Sequence, residues 1–185
     1  VSTPIGNMED ITFRAINILK KSDIILCEDT RHSGKLLTYY KIKNKLMPYH
    51  KFNEKRITEK VIDLVKNNKI VSLISDAGTP AISDPGVILV SRCAHESLNV
   101  YPIPGASAVT SAVSISGFSD KYIFYGFLEK KINEVEKIII NLGKLDYSIV
   151  FFIPAKKINF YFPLFKKYFF DRRIIIAKEM TKMHE

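Results

Sequence analysis

Ser75-Asp76-Ala77-Gly78-Thr79-Pro80-Ala81-Ile82-Ser83-Asp84-Pro85-Gly86 is the stretch that decides the fold. The apolar run over residues 70–74 before it has the composition of a buried strand, and Val87-Ile88-Leu89-Val90 after it suits the first turns of a helix. Strand, Gly- and Pro-rich loop, then helix is how open α/β sheets build small-molecule sites at the carboxyl ends of their strands. The loop has twelve residues, where about two to six are usual. Gly78 lets a ligand approach the main chain closely, while Pro80 and Pro85 fix φ and remove two backbone donors. Asp84-Pro85 predicts a helix N-cap followed by proline at the first helical position. An elaborate surface turn with capping residues would share much of this composition.

Two other segments have the same form. Residues 99–103 suit a strand, Pro104-Gly105-Ala106-Ser107-Ala108 a loop, and residues 109–116 a helix of small residues. Small residues at a helix start let a flat ligand lie on the backbone, and the free N–H groups there suit a carboxylate. Tight helix-on-sheet packing would also want Ala, Ser and Gly. The chain opens with Thr3-Pro4-Ile5-Gly6-Asn7, and Asp10 is expected to cap a helix over 11–21. The three corners would line one edge of a parallel sheet. None contains Gly-x-Gly-x-x-Gly or a Gly-Lys-Ser/Thr phosphate loop, which disfavours a nicotinamide or nucleoside triphosphate site.

Strand-like and helix-like segments alternate along the chain. Helix 11–21 leads to strand 23–27, helix 33–40 to strand 46–50, and helix 54–67 to strand 70–74. Ile57, Val61, Leu64 and Val65 share one face of the third helix. Helix 86–96, strand 99–103 and helix 107–116 follow, and Gly117-Phe118-Ser119-Asp120 marks a boundary. Beyond it come strand 122–127, helix 132–142, strand 147–153, helix 156–170 and strand 173–177. This alternation predicts an α/β fold, mostly parallel, with helices on both faces of the sheet. Two domains are expected, 1–117 and 118–185, without repeats or low-complexity linkers. Val1-Ser2 has the character of the end of a first strand, and the second domain is expected to be partial.

Of the 185 residues, 46% are hydrophobic, enough for a real core. Lys and Arg number 28 against 19 Asp and Glu, a net charge of +9. That suits a polyanion such as RNA, although AT-rich coding also produces an Ile-, Lys- and Asn-rich chain. Cys27 and Cys93 make neither a disulfide framework nor a metal site, and read as buried thiols of a reducing compartment. No apolar run reaches the roughly 20 residues of a membrane helix, and no signal peptide is evident.

Cys27-Glu28-Asp29-Thr30-Arg31-His32 follows a strand and so belongs to the same carboxyl edge. Two acids beside an Arg can ion-pair, bind a phosphate or position a hydroxyl; an ordinary surface pair capping a helix is the plainer alternative. His50 and Asn53-Glu54 follow the next strand, where a histidine can equally be a core or edge residue.

Thr3-Pro4-Ile5-Gly6-Asn7, Glu28-Asp29-Thr30-Arg31, the 75–86 loop, Pro104-Gly105-Ala106-Ser107-Ala108 and Glu179-Met180-Thr181-Lys182 occur in that order. The series resembles the tetrapyrrole methylase superfamily, and within it the branch that methylates a cytidine 2′-hydroxyl of small-subunit ribosomal RNA. The likeness covers almost the whole chain and is most specific at 75–86 and 28–31. It implies two αβα domains with S-adenosylmethionine in the cleft between them, a homodimer, and a cytoplasmic protein. It implies as substrate the small-subunit ribosomal RNA, free or in the assembled small subunit. Cofactor contacts are implied at Pro4, Gly6, Ala77, Gly78, Thr79, Ile82, Ser107 and Ala108. Asp29 is the first choice for a base and His50 the second, with Arg31 on a neighbouring phosphate. Glu179 and Lys182 would reach in from the second domain. The chemistry requires no metal, and no Cys/His spacing offers one.

The chain departs from the family where an acid followed by Ser-Pro-His-Arg is usual. Here Ile153-Pro154-Ala155-Lys156-Lys157 stands instead, and Leu128-Glu129 replaces an expected Leu-Pro. Lysine keeps the charge but lacks the bidentate fork of arginine. Two other readings remain: methylation of a tetrapyrrole or other small molecule, which would want an apolar trough, and a non-catalytic RNA-binding assembly protein. Lysines clustered beside the cofactor cleft would favour RNA; a scattered distribution would weaken that reading.

Overall fold

A computed structural model describes residues 1–185 and divides them into two compact units, Val1–Ala108 with Glu179–Glu185, and Val109–Lys178. In the first unit, strands β1 (Ile24–Cys27), β2 (Lys45–Pro48) and β3 (Val71–Leu73) form a parallel sheet in the order β2-β1-β3. Helices α1 (Phe13–Lys21), α2 (Thr30–Tyr39), α3 (Glu54–Lys66) and α4 (Val87–His95) supply the crossovers. All four residues of β1 are buried, and alternate ones face opposite ways. Ile24 and Leu26 join Met47, Tyr49, Val61, Ile62, Leu89 and Cys93 in one cluster. Ile25 and Cys27 join Leu19, Leu37, Ile42 and Ile74 in the other. One face of the sheet is therefore covered by α3 and α4, the other by α1 and α2. This is why β1 reads as an unbroken apolar run. Both cysteines are buried thiols, and burial pushes each above the ordinary thiol range.

In the second unit, helix α5 (Ala108–Ser116) leads to β4 (Tyr122–Phe127), α6 (Ile132–Gly143), β5 (Ser148–Phe152) and α7 (Ile158–Tyr168). β4 and β5 are parallel, with Tyr122 opposite Ser148 and Phe127 opposite Phe152. Val135, Ile139, Tyr161, Leu164, Phe165 and Phe169 make the core. Phe165 stacks on Phe151 and on Phe169 with ring centroids 5.6 and 5.8 Å apart.

The boundaries differ from the sequence expectation at points with identifiable causes. Thr12, not Asp10, caps α1: its side chain accepts from the Ala15 N–H, while Asp10 closes a 3-10 turn capped by Asn7. Helix α2 begins three residues earlier than expected because Asp29 caps it. Asp84-Pro85 does not start α4. Gly86 is its N-cap at φ 141°, a conformation closed to Pro85, and its carbonyl accepts the first helical bond from the Val90 N–H. Residues 99–103 and 173–177 have no regular secondary structure and belong to no ladder. A strand needs a paired neighbour, and Val100, Tyr101, Ile174, Ile175 and Ile176 are exposed. Residues 156–170 break into a 3-10 turn at Ala155–Lys157 and then α7.

Leu26 is fully buried at the centre of the sheet. Leu26→Ala is expected to lower the unfolding free energy by about 3 kcal/mol, seen as a fall in the urea midpoint at constant slope; a loss below about 1 kcal/mol would mean that the strand is not the centre of the core.

Candidate functional site

The carboxyl ends of β1, β2 and β3 open on one edge of the first unit, and the three Pro/Gly corners meet there. Thr3 and Gly78 exchange both main-chain hydrogen bonds, at 2.9 and 3.0 Å. The Thr3 hydroxyl donates to the Ser75 carbonyl at 3.2 Å. The Ser2 N–H donates to the Ile103 carbonyl, and the Ser2 and Thr79 hydroxyls lie 3.0 Å apart. The Thr79 hydroxyl donates on to the Ala106 carbonyl at 3.3 Å. Residues 2–4, 75–79 and 103–106 are thus joined through hydroxyls and main chain alone, and the edge carries Pro4, Ala77, Gly78, Thr79, Ser107 and Ala108 together. Gly78 sits at φ 78°, and a Cβ built on it would come within 3.3 Å of Ile5 Cγ2. Ile82 is 46% exposed between Ala81 and Ser83, which both adopt positive φ, 64° and 63°. Such strain in non-glycine residues concentrates at ligand loops.

Asp29 stands at the end of β1. Its Oδ1 accepts from the Arg31 N–H at 2.8 Å, and its Oδ2 pairs with the Arg31 guanidinium at 3.0 Å. The guanidinium bond and the Arg31 main-chain bond hold the Asp29 carboxyl at about 2. The Asp29 N–H donates to Asp76 Oδ1 at 3.3 Å, which brings the β1 and β3 loops together. Glu28, Asp76 and Asp84 face one another across that edge. Burial, then Asp76 and Asp84, raise the Glu28 carboxyl, with His50 opposing. Burial raises Asp84, the Ser75 hydroxyl draws it down, and Asp76 adds to the rise. His50 follows β2; its N–H donates to Asn53 Oδ1 at 2.9 Å, and its buried Nδ1 has no hydrogen-bond partner. Asp76 and Asp84 are near the cofactor loops by sequence position alone, with a cap as the plainer role of Asp84; the approach of Glu28 to both is what the structure adds.

Gly6, Glu179 and Lys182 belong to a second locus of the same unit. The Asn7 N–H donates to Thr181 Oγ1 at 3.0 Å. A Cβ on Gly6 would lie 2.6 Å from Thr181 Oγ1 and 2.7 Å from the Met180 carbonyl oxygen. Glu179 and Thr181 take positive φ, 53° and 66°. Gly6, Asn7, Met8, Thr181, Lys182, Met183 and His184 line an open cavity of about 550 Å³. Glu179 and Lys182, expected to reach in from the second domain, instead belong to the first unit, where their segment packs against the 6–8 loop.

The donor set of the first edge fits S-adenosylmethionine. The small exposed Ala77 lets a flat base approach the loop, and hydroxyls at Thr79 and Ser107 suit polar groups. The carboxylates of Glu28, Asp76 and Asp84 supply the negative potential that a sulfonium cation needs.

A parallel sheet covered by helices on both faces, with loops gathered at the carboxyl ends of its strands, is the class of open α/β protein that binds small molecules at that edge. The chain belongs to the Tetrapyrrole (Corrin/Porphyrin) Methylases, whose family pattern matches residues 1–121. It is similar over its full length to proteins named ribosomal RNA small subunit methyltransferase I. That of Rickettsia prowazekii (strain Madrid E) is 45% identical over 186 residues, and the chain spans 66% of its length. That of Thermotoga maritima is 43% identical over 186 residues and 83% spanned; that of Mesomycoplasma conjunctivae is 43% identical over 189 residues and 78% spanned. The crystal structure of uroporphyrin-III-C-methyltransferase from Thermus thermophilus matches the fold with TM-score 0.62 at 16% identity, covering 93% of this chain and 72% of that one.

The raised carboxyl of Glu28 has a thermodynamic sign. A folded value above the unfolded one means that the folded state holds the extra proton, so stability falls as pH rises through the ordinary carboxylate range. Glu28→Gln is expected to raise the melting temperature at pH 7, with the difference closing below about pH 4; a lowered melting temperature at pH 7 would contradict the crowding of acids at this edge. Gly6→Ala is expected to detach residues 179–185, seen as faster amide exchange over that segment, because the Met180 carbonyl leaves no room for a methyl group.

Proposed function

We propose that the protein is an S-adenosylmethionine-dependent methyltransferase of small-subunit ribosomal RNA, and that the acceptor is the ribose 2′-hydroxyl of a cytidine. The single observation that carries the reading is full-length similarity, at 43–45% identity, to proteins of that name. The hydroxyl-stitched edge with its acidic surroundings supports it. The protein acts as a homodimer in the cytoplasm, on free ribosomal RNA or the assembled subunit.

When bound, the cofactor supplies an electrophilic methyl carbon on a positively charged sulfur. Pro4, Ala77, Gly78, Thr79, Ile82, Ser107 and Ala108 hold it, largely through main chain, with Gly6 setting the neighbouring loop. Catalysis then consists chiefly of holding the ribose oxygen in line with that carbon at about 3 Å. Asp29 accepts the hydrogen bond of the attacking hydroxyl. At about 2 it is a weak base, yet a weak base suffices. An alcohol oxygen that has gained a carbon is an oxonium, which gives up its proton readily, so proton loss follows bond formation. His50 is the second choice for the proton. Arg31, with its side chain 90% exposed, takes a neighbouring phosphate, and Glu179 and Lys182 hold the substrate strand from the segment packed against the 6–8 loop.

Transfer of labelled methyl from S-adenosylmethionine to small ribosomal subunits lacking the modification is expected to place the label on a cytidine ribose. Label on a base, or none on any RNA, would refute the reading. Asp29→Asn is expected to cut turnover at least about 100-fold with cofactor affinity unchanged; full turnover would remove Asp29 from the proton path.

A further inference from the structure

The second unit carries a patch that the proposed chemistry does not use. β4 and β5 are parallel, so their carboxyl ends share one edge, and Phe127 lies opposite Phe152 at that edge. Leu128-Glu129-Lys130-Lys131 leaves β4, and Ile153-Pro154-Ala155-Lys156-Lys157 leaves β5. The Tyr161 hydroxyl on α7 donates to the Glu129 carbonyl at 2.9 Å, which brings the first turn of α7 against the loop after β4. Four exposed lysines therefore gather over two adjoining corners. Exposed rings lie among them: Phe127 is 54% and Phe160 38% exposed, and Lys157 Nζ sits 5.4 Å from the centre of the Phe160 ring. The acids nearby are Glu129 and Glu134, of which Glu134 reaches Lys131 at 3.3 Å.

The lysines stand where local structure does not want them. Lys131 is the N-cap of α6 and Lys157 the N-cap of α7, and neither gives a side-chain cap hydrogen bond. Ser, Asp or Asn is the usual choice there, because the helix start already carries partial positive charge. Placing further cations at both starts works against folding, and residues that break a local rule in this way concentrate at functional surfaces.

We infer that Lys130, Lys131, Lys156 and Lys157, with Phe127 and Phe160, form a docking surface for a single-stranded segment of RNA, the lysines meeting phosphates and the rings stacking a base. The inference rests on the reading of the protein as an RNA methyltransferase and names a part of its substrate grip. Compact ammonium groups neutralise phosphates without reading sequence, and exposed rings accept any base. The surface thus positions the strand and leaves the choice of nucleotide to the methyl-transfer edge.

The test uses the whole chain and a fluorescent 20-nucleotide single-stranded RNA, titrated by anisotropy over a series of salt concentrations. Replacing Lys130, Lys156 and Lys157 together by Gln is expected to weaken binding roughly 10- to 100-fold and to make the salt slope shallower by about 2. S-adenosylmethionine affinity, read by calorimetry, stays unchanged. Lys20, Lys21 and Lys60 replaced by Gln remove the same charge elsewhere and are expected to leave affinity and slope near the parent values. Arg at the three patch positions is expected to retain binding. A patch variant no weaker than the charge-matched control overturns the inference, even where the parent still methylates ribosomal RNA. Binding of an acidic peptide, but not RNA, through the same lysines overturns it as well. Loss of all methyl transfer to RNA by the parent would instead refute the function on which the inference rests.

Discussion

The burial of Ile24–Cys27 on both faces is the constraint on which the first unit depends. A strand that shows apolar side chains both ways must have helices on both sides, and parallel neighbours allow that covering because each crossover is itself a helix. Every loop that leaves a carboxyl end then emerges on one edge. The acidic residues and the hydroxyl-stitched corners are neighbours because three strands run the same way, although they come from segments some 50 residues apart, as the Asp29–Asp76 bond illustrates.

The alternation of elements was legible because it rests on periodicity that each segment carries within itself. Of the expected face of α3, Val61 is buried and Ile57, Leu64 and Val65 pack partly buried against the core, while Thr58 and Ile62, outside the expected set, are buried beside them. Capping was less legible. Asp10, Thr12 and Asn7 are all competent caps within six residues, and the choice among them is made by where the chain turns, a tertiary matter. Strands 99–103 and 173–177 were misjudged for a related reason. Their Val, Tyr and Ile content satisfies β propensity, yet a strand exists only by pairing. The site was partly legible: glycine, proline and hydroxyl residues announced the corners. The mutual approach of Glu28, Asp76 and Asp84 lay beyond the sequence, since no local pattern reports which loops face each other.

The two units meet charge in opposite ways. At the edge of the first, carboxylates are crowded until burial and mutual repulsion lift Glu28 and Asp84, and Asp29 is held ionised by Arg31. At the edge of the second, cations stand at helix starts that would prefer anions. Each arrangement costs stability in isolation. Each becomes favourable against a ligand of the opposite sign, a sulfonium in one case and a phosphodiester in the other. Surfaces of this kind sacrifice some folding free energy for recognition.

The hydrogen bond from Asn7 to Thr181 spans 174 positions of sequence. Chain emerges from the ribosome in order, so the 6–8 loop meets its partner only after the 174 positions that separate Asn7 from Thr181 have been made. Its sheet, by contrast, is complete once residue 73 is made. Folding of the first unit is therefore split in time. A stable core forms early, and the cavity beside Gly6 takes its final shape only after the second unit has been synthesised. The locus beside Gly6 is thus assembled later than the sheet that carries the methyl-transfer edge.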